Sequence, residues 1–216
     1  MKLILAASVL CLAFSQFLLN FDSVSSQLTQ LEMRQKFNAS DFVYDMDNAT
    51  IKVTRAGGTL IPCVVSQMPA LANQKISYVL HYLEPCGIFT PEVHPRAAEF
   101  IYVIDGSNLQ VGFSEENGGR FIVNVLQKGQ VMIIPQGLIH FQQNLGCGIV
   151  KYMSALNSED PGVLAMAQQT FGLPAYALAS TFNRTEAEIA VLKAGLPPGP
   201  AAGYGNCVTR CIRSRK

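Results

Sequence analysis

The nine residues 91-PEVHPRAAE-99 hold two glutamates, a histidine and an arginine in a chain of which only 14% is charged. Side chains two apart on an extended segment leave the same face, which sends Glu92 and His94 in one direction. Pro95-Arg96 interrupts the ladder, and a turn there brings Glu99 back toward that side. Further on, 129-GQVMIIPQGLIHFQQN-144 runs an apolar strand into a Pro-Gln-Gly turn and delivers His140 at the start of the next strand. Two imidazoles and two carboxylates can then converge in one interior. Such donors suit a divalent metal, and their oxygens favour Mn or Fe(II) over copper or a thiolate-preferring ion. The competing reading is a solvated polar turn whose ion pair contributes little. The third histidine, His81 in 77-SYVLHYL-83, has the neighbours of a plain alternating strand and is expected to be packed or at the surface.

Short strands must position these residues. The segments 76-ISYVLHYL-83, 99-EFIYVI-104, 108-NLQVGF-113, 120-RFIVNVL-126, 130-QVMII-134, 139-IHFQQ-143 and 148-GIVKYMSA-155 are separated by turn signals at Asp105-Gly106, Asn117-Gly118-Gly119, Lys128-Gly129 and Leu145-Gly146. This spacing predicts an all-β sandwich or barrel over residues 40–156. Helical patterning begins only after Asp160. Asp160-Pro161 reads as an N-cap and first-turn proline opening a helix over Val163–Phe171. A second helix is expected near Pro174, and Thr185 with Glu188 forms a capping box for 185-TEAEIAVLKA-194. Apolar helices over 160–195 need something to cover, and a second copy of the chain is the expected partner. Residues 196–216 read as a proline-rich tail.

The chain's 216 residues, 49% of them hydrophobic, suit a single core. Sixteen basic residues against fifteen acidic ones leave a formal charge of +1, with no basic patch for nucleic acid. The opening MKLILAASVLCLAFSQ has one lysine followed by an apolar run from Leu3 to Phe14, the pattern of a secretory signal peptide assigned to residues 1–26, with cleavage after Ser15 or Ser26. The run is short for a membrane span, which needs about 20 apolar residues, and no later segment reads as one. Sequons at Asn38, Asn48 and Asn183 suit the same secreted, glycosylated destination. Without Cys11, the remaining Cys63, Cys86, Cys147, Cys207 and Cys211 are odd in number. Cys207 and Cys211 either pair with each other or tether the tail, and at least one thiol is left over.

The two polar stretches resemble the paired motifs of the cupin superfamily, in particular germins, germin-like proteins and spherulins. The stretch 86-CGIFTPEVHPRAAEFIYVIDG-106 is similar to the first motif at Gly87, His94, Pro95, Arg96, Glu99 and Gly106. The second motif matches at Gly129, Pro135, Gly137, His140 and Asn144. The helical segment resembles the germin C-terminal extension, so the likeness covers about residues 40–195. It implies a jelly-roll β-barrel with a C-terminal helical extension, a manganese ion held by His94, Glu99 and His140, and a homo-oligomer, either a dimer or a trimer of dimers.

Three departures qualify the resemblance. The family's first motif opens with His-x-His, and Glu92 stands at the first of those positions. Glu92 is either a fourth ligand or points away, leaving a three-residue set of His94, Glu99 and His140 with open positions. Phe89 stands where oxalate-oxidising germins carry a substrate-facing asparagine, and the paired N-terminal cysteines of plant germins are missing. The resulting expectation is a secreted manganese cupin acting on a small species such as superoxide, with Asn144 near the site and oxalate oxidation disfavoured. The rival is an extracellular binding or structural protein of a wall, matrix or cyst coat.

Overall fold

The computed structural model describes residues 29–213; the predicted signal peptide, residues 1–26, lies outside them. Residues up to Phe42 form one unit and Val43 onward another. In the first, helix α1 (Gln30–Arg34) is opened by a capping box between Thr29 and Glu32, and Phe37 meets Phe42 edge to face.

The second unit is built from eleven strands: β1 (Val53–Arg55), β2 (Gly58–Cys63), β3 (Ser77–Leu83), β4 (Ile88–Val93), β5 (Glu99–Asp105), β6 (Ser107–Ser114), β7 (Phe121–Gln127), β8 (Val131–Ile134), β9 (His140–Asn144), β10 (Val150–Leu156) and β11 (Leu164–Ala165). They form two antiparallel sheets, one in the order β1-β2-β3-β10-β5-β8 and the other β11-β4-β9-β6-β7. The all-β jelly roll expected from the sequence is the observed architecture.

Alternation explains which face turns inward. On β5, Glu99, Ile101 and Val103 are buried; on β10, Val150, Tyr152, Ser154 and Leu156 are. On the facing sheet β6 buries Leu109, Val111 and Phe113, and β9 buries His140, Gln142 and Asn144. The apolar members of these rows other than Leu156, with Leu83, Phe89, Leu126 and Ile134, make the main core. Glu99, Ser154 and His140 make a polar cluster at one end of this interior. Gly87 shows how tightly the sheets close: a Cβ there would meet the Gly57 carbonyl oxygen at 2.1 Å.

Helices follow the strands: α2 (Met166–Thr170), α3 (Ala175–Phe182), α4 (Glu186–Ala194) and α5 (Asn206–Arg213). The predicted capping box on α4 forms, with Thr185 and Glu188 bonding each other's backbone N–H groups. The predicted N-cap at Asp160 does not. The Asp160 carboxylate pairs with Arg96 at 2.8 Å and its carbonyl accepts from Arg96 Nε, so residues 160–163 cross Pro95-Arg96 as a strap. The chain then pairs as β11 with β4, Leu164 opposite Val93, before α2 begins.

The tail is tethered. Cys86 is bonded to Cys207 and Cys147 to Cys211, which fixes α5 to the barrel, and among the described residues Cys63 is the buried leftover thiol. No helix among the described residues is long and apolar enough to cross a membrane.

Candidate metal centre

Both sheets contribute to the polar end of the interior. Glu92 lies near the end of β4, His94 just beyond it, and His140 opens β9 directly opposite Glu92 in the strand register. Glu99, at the start of β5, reaches across from the other sheet. The expected return of Glu99 after Pro95-Arg96 is thus achieved by a change of sheet. His94, Glu99 and His140 are buried, and the Glu92 side chain is 17% exposed.

Ligand atoms of Glu92, His94 and His140 all lie within 4.8 Å of one another. Glu99 Oε2 lies 3.1 Å from His140 Nε2 and 3.8 Å from His94 Nε2, while Glu92 Oε1 is 4.0 Å from His140 Nε2. The far side of each ring is engaged with a backbone carbonyl. His94 Nδ1 donates to Gly162 at 2.8 Å and His140 Nδ1 to Leu138 at 2.9 Å. A ring that donates from Nδ1 presents a lone pair at Nε2 when neutral. Gly162 presents its carbonyl through a φ of +68°, a conformation that glycine adopts without the cost of a Cβ.

Two Nε2 lone pairs and two carboxylates therefore face one another, and none of these atoms brings a donor hydrogen when the rings are neutral. His140 Nε2 is buried without a hydrogen bond. Only a proton or a cation reconciles such a cluster, so the residues present fit a divalent ion held by nitrogen and oxygen donors. The electrostatics reflect this crowding. Burial pushes the Glu92 carboxyl up to about 7, with His140 opposing the rise and Glu99 adding to it. Burial would also raise Glu99, but His140, His94 and the Ser154 hydroxyl hold it near 2. Burial works against a charge on His140, yet the neighbouring Glu99 carboxylate raises its pKa; at His94 burial prevails and lowers it.

A cavity of about 320 Å³ opens onto Glu92, His94 and Glu99. Leu60, Val79, Phe89, Leu156 and Val163 supply much of its apolar wall, and among the described residues no lysine or arginine lines it. Phe89, 4% exposed, sets its ring edge-on to His81 at 4.9 Å.

Asn144 is not at this end. Its Nδ2 lies 2.7–3.1 Å from the carbonyls of Leu83, Glu84 and Gly148, and its Oδ1 accepts from Gly146 N–H. It joins strand ends at the opposite pole of the barrel, correcting the placement expected from the sequence. Conversely, Ser154 bonds Glu99 directly and Gln142 Nε2 lies 3.4 Å from Glu99 Oε2. Their inward alternation on β10 and β9 could have pointed to them.

The fold and this cluster define a cupin, and comparison with known proteins agrees. The Cupin family profile matches residues 44–190. The chain is 35% identical over 185 residues to spherulin-1B of Physarum polycephalum, covering 85% of this chain and 74% of the relative. It is 31% identical over 169 residues to germin-like protein 1-3 of Oryza sativa subsp. japonica, covering 76% and 75%. A solved structure of recombinant oxalate oxidase in complex with glycolate superposes with a TM-score of 0.64 at 25% identity, covering 79% of this chain and 82% of that one. The chain belongs to the cupin family, with spherulins and germin-like proteins among its relatives.

Proposed function

We propose that the protein is a secreted, glycosylated germin-like cupin that holds one manganese ion per barrel and acts on a small redox-active species such as superoxide. The carrying observation is the convergence of two imidazole Nε2 atoms, each fixed by an Nδ1–H bond to a backbone carbonyl, with the Glu99 carboxylate between the sheets. His94, His140 and Glu99 would hold the ion and Glu92 would be the fourth ligand, Fe(II) being the alternative metal. When bound, the metal would supply the one-electron couple. The chain's own part is to hold the donors apart from water, to keep both rings in one tautomer, and to leave the cavity side open. A second carboxylate would add negative charge and favour the higher oxidation state.

The cavity wall argues against oxalate. A dicarboxylate entering it meets Phe89 and two glutamates, with no lysine or arginine among the described residues of the lining. The same wall favours a second reading, in which the barrel is an extracellular binding or structural scaffold without catalysis. Elemental analysis of the secreted protein, with superoxide dismutation and oxalate oxidation measured on the same sample, separates the two. Stoichiometric manganese with dismutation supports the first reading; a metal-free, inactive barrel overturns it.

Secretion is supported by the two disulfides, which persist in oxidising compartments. Asn38, Asn48 and Asn183 are all exposed. A homo-oligomer, dimer or trimer of dimers, is supported by apolar side chains left in water: Phe121 and Ile133 on the strands, Tyr176, Phe182 and Val191 on the helices. Light scattering at micromolar concentration tests it, and a monomer would remove it.

A further inference from the structure

Behind Glu99 lies a chain of hydrogen bonds that the proposed ligands do not explain. His81 on β3, Ser154 on β10 and Glu99 on β5 run diagonally across the inner face of one sheet. In the register Ser154 sits opposite Val79 and Ile101, so each contact is to the residue two positions along. Ser154 Oγ meets Glu99 Oε1 in a very short contact and His81 Nε2 at 3.1 Å. All three residues are buried.

Donor accounting sets the direction of this chain. A serine hydroxyl has one hydrogen and an ionised carboxylate has none. Were the Ser154 hydrogen directed at His81, two oxygen lone pairs would meet at the short contact with Glu99. Ser154 therefore donates to Glu99 Oε1, and His81 must donate to Ser154 from Nε2. Burial between aromatic rings keeps His81 neutral: it stacks on Tyr152 at 4.4 Å with 3° between planes, and meets Phe89 at 88°. Its one N–H is thus at Nε2, which agrees with a buried Nδ1 that lacks any partner. His81 is the opposite tautomer from His94 and His140.

We propose that Ser154 and His81 are positioning residues for Glu99: the relay from His81 Nε2–H through the Ser154 hydroxyl occupies Oε1, turns Oε2 toward the two imidazoles, and limits Glu99 to binding a metal through one oxygen. The inference rests on the metal-binding reading of the site. It goes beyond that reading by assigning roles to two residues that touch no metal.

The test is manganese titration of the whole secreted protein after chelation, followed by calorimetry. Ser154→Ala should raise the manganese Kd about 10–100-fold, the usual effect of removing a partner that orients a ligand. Ser154→Thr, which keeps the hydroxyl, should stay near wild type. His81→Phe, which keeps the stacking but loses the donor, should weaken binding, and His81→Gln should restore it in part. Unchanged Kd in Ser154→Ala and His81→Phe, with only a lowered Tm, would reduce both residues to packing and overturn the proposal. If the wild-type protein takes up no manganese, the reading of the site fails on its own, and the relay is judged in the metal-free protein by 15N NMR of His81. A proton at Nε2 supports the relay; a proton at Nδ1 overturns it.

Discussion

Replacing His140 with alanine tests the site most directly, because this ring faces Glu92, His94 and Glu99 together. It is 1% exposed, lies 3.1 Å from Glu99 and 4.0 Å from Glu92, and is tied to Leu138 by Nδ1. A metal that binds only the folded barrel at 100 times its Kd adds about 2.7 kcal/mol. For a chain of this size that raises Tm by roughly 5–11 °C. Losing one donor should weaken binding by at least the roughly 100-fold that follows loss of a supporting partner. The same metal concentration then only equals the variant's Kd and adds about 0.4 kcal/mol, a shift of roughly 1–2 °C. The variant also pays without metal, because two carboxylates lose the ring between them, and breaking a buried pair costs roughly 3–5 kcal/mol. Differential scanning calorimetry with and without manganese separates the contributions, the first being a difference between scans of one protein and the second a difference between chelated proteins. Equal manganese-dependent shifts in wild type and His140→Ala would refute the reasoning. A wild type that carries no metal from manganese-containing medium, and a variant as stable as it, would leave only the barrel.

Glu92 distinguishes four ligands from three: Glu92→Ala should raise the manganese Kd if Glu92 coordinates and leave it unchanged if it does not, while Glu92→His should keep or tighten binding in calorimetric titration. The pH dependence of the chelated protein follows from opposite shifts. Glu92 titrates near 7 when folded against an ordinary 4.5, so its contribution is full below pH 4.5 and is lost as pH rises through 7. Glu99, held near 2, contributes above pH 4.5 and loses this as pH falls toward 2. Urea unfolding should therefore show Glu92→Gln gaining on wild type between pH 4.5 and 7, and a constant gap would contradict the shift. Non-reducing peptide mapping should recover Cys86 with Cys207 and Cys147 with Cys211, with Cys63 alkylated only after unfolding; a peptide joining Cys207 to Cys211 would be the wrong result. Cys207→Ser should cost about 2–5 kcal/mol in chemical denaturation.

Local pattern carried much of this structure in the sequence. Period-2 alternation and glycine turns located seven strands and turned their apolar residues inward, and Thr185 with Glu188 marked the start of α4 because both partners lie within one helical turn. What local pattern misread depends on distant partners. Asp160-Pro161 has the form of a helix start, but Arg96 claims the Asp160 carboxylate. Asn144 carries a side chain suited to a site, yet two of the three carbonyls around it come from a segment some sixty residues away. The residues of 53–63 lack strong alternation and become β1 and β2 only through pairing with each other and with β3. The tail's helix sets Cys207 and Cys211 four residues apart on one face, and both reach partners more than sixty residues away. Ser154 is a small residue in an alternating strand, and its importance appears only once Glu99 and His81 are placed on either side.

Both cross-links draw on α5, at the far pole of β4 and β9 from the proposed metal ligands. Their partners Cys86 and Cys147 emerge from the ribosome long before Cys207 and Cys211. During synthesis the barrel strands are therefore complete while neither native bridge can form, and the early cysteines remain open to pairing with each other or with carrier thiols. Completion of α5 converts the molecule from an uncross-linked chain to a doubly cross-linked one. A stop codon anywhere between Leu156 and Cys207 would remove both bridges at once, whereas a single backbone cut in the folded molecule over the same stretch would leave the two fragments joined by both.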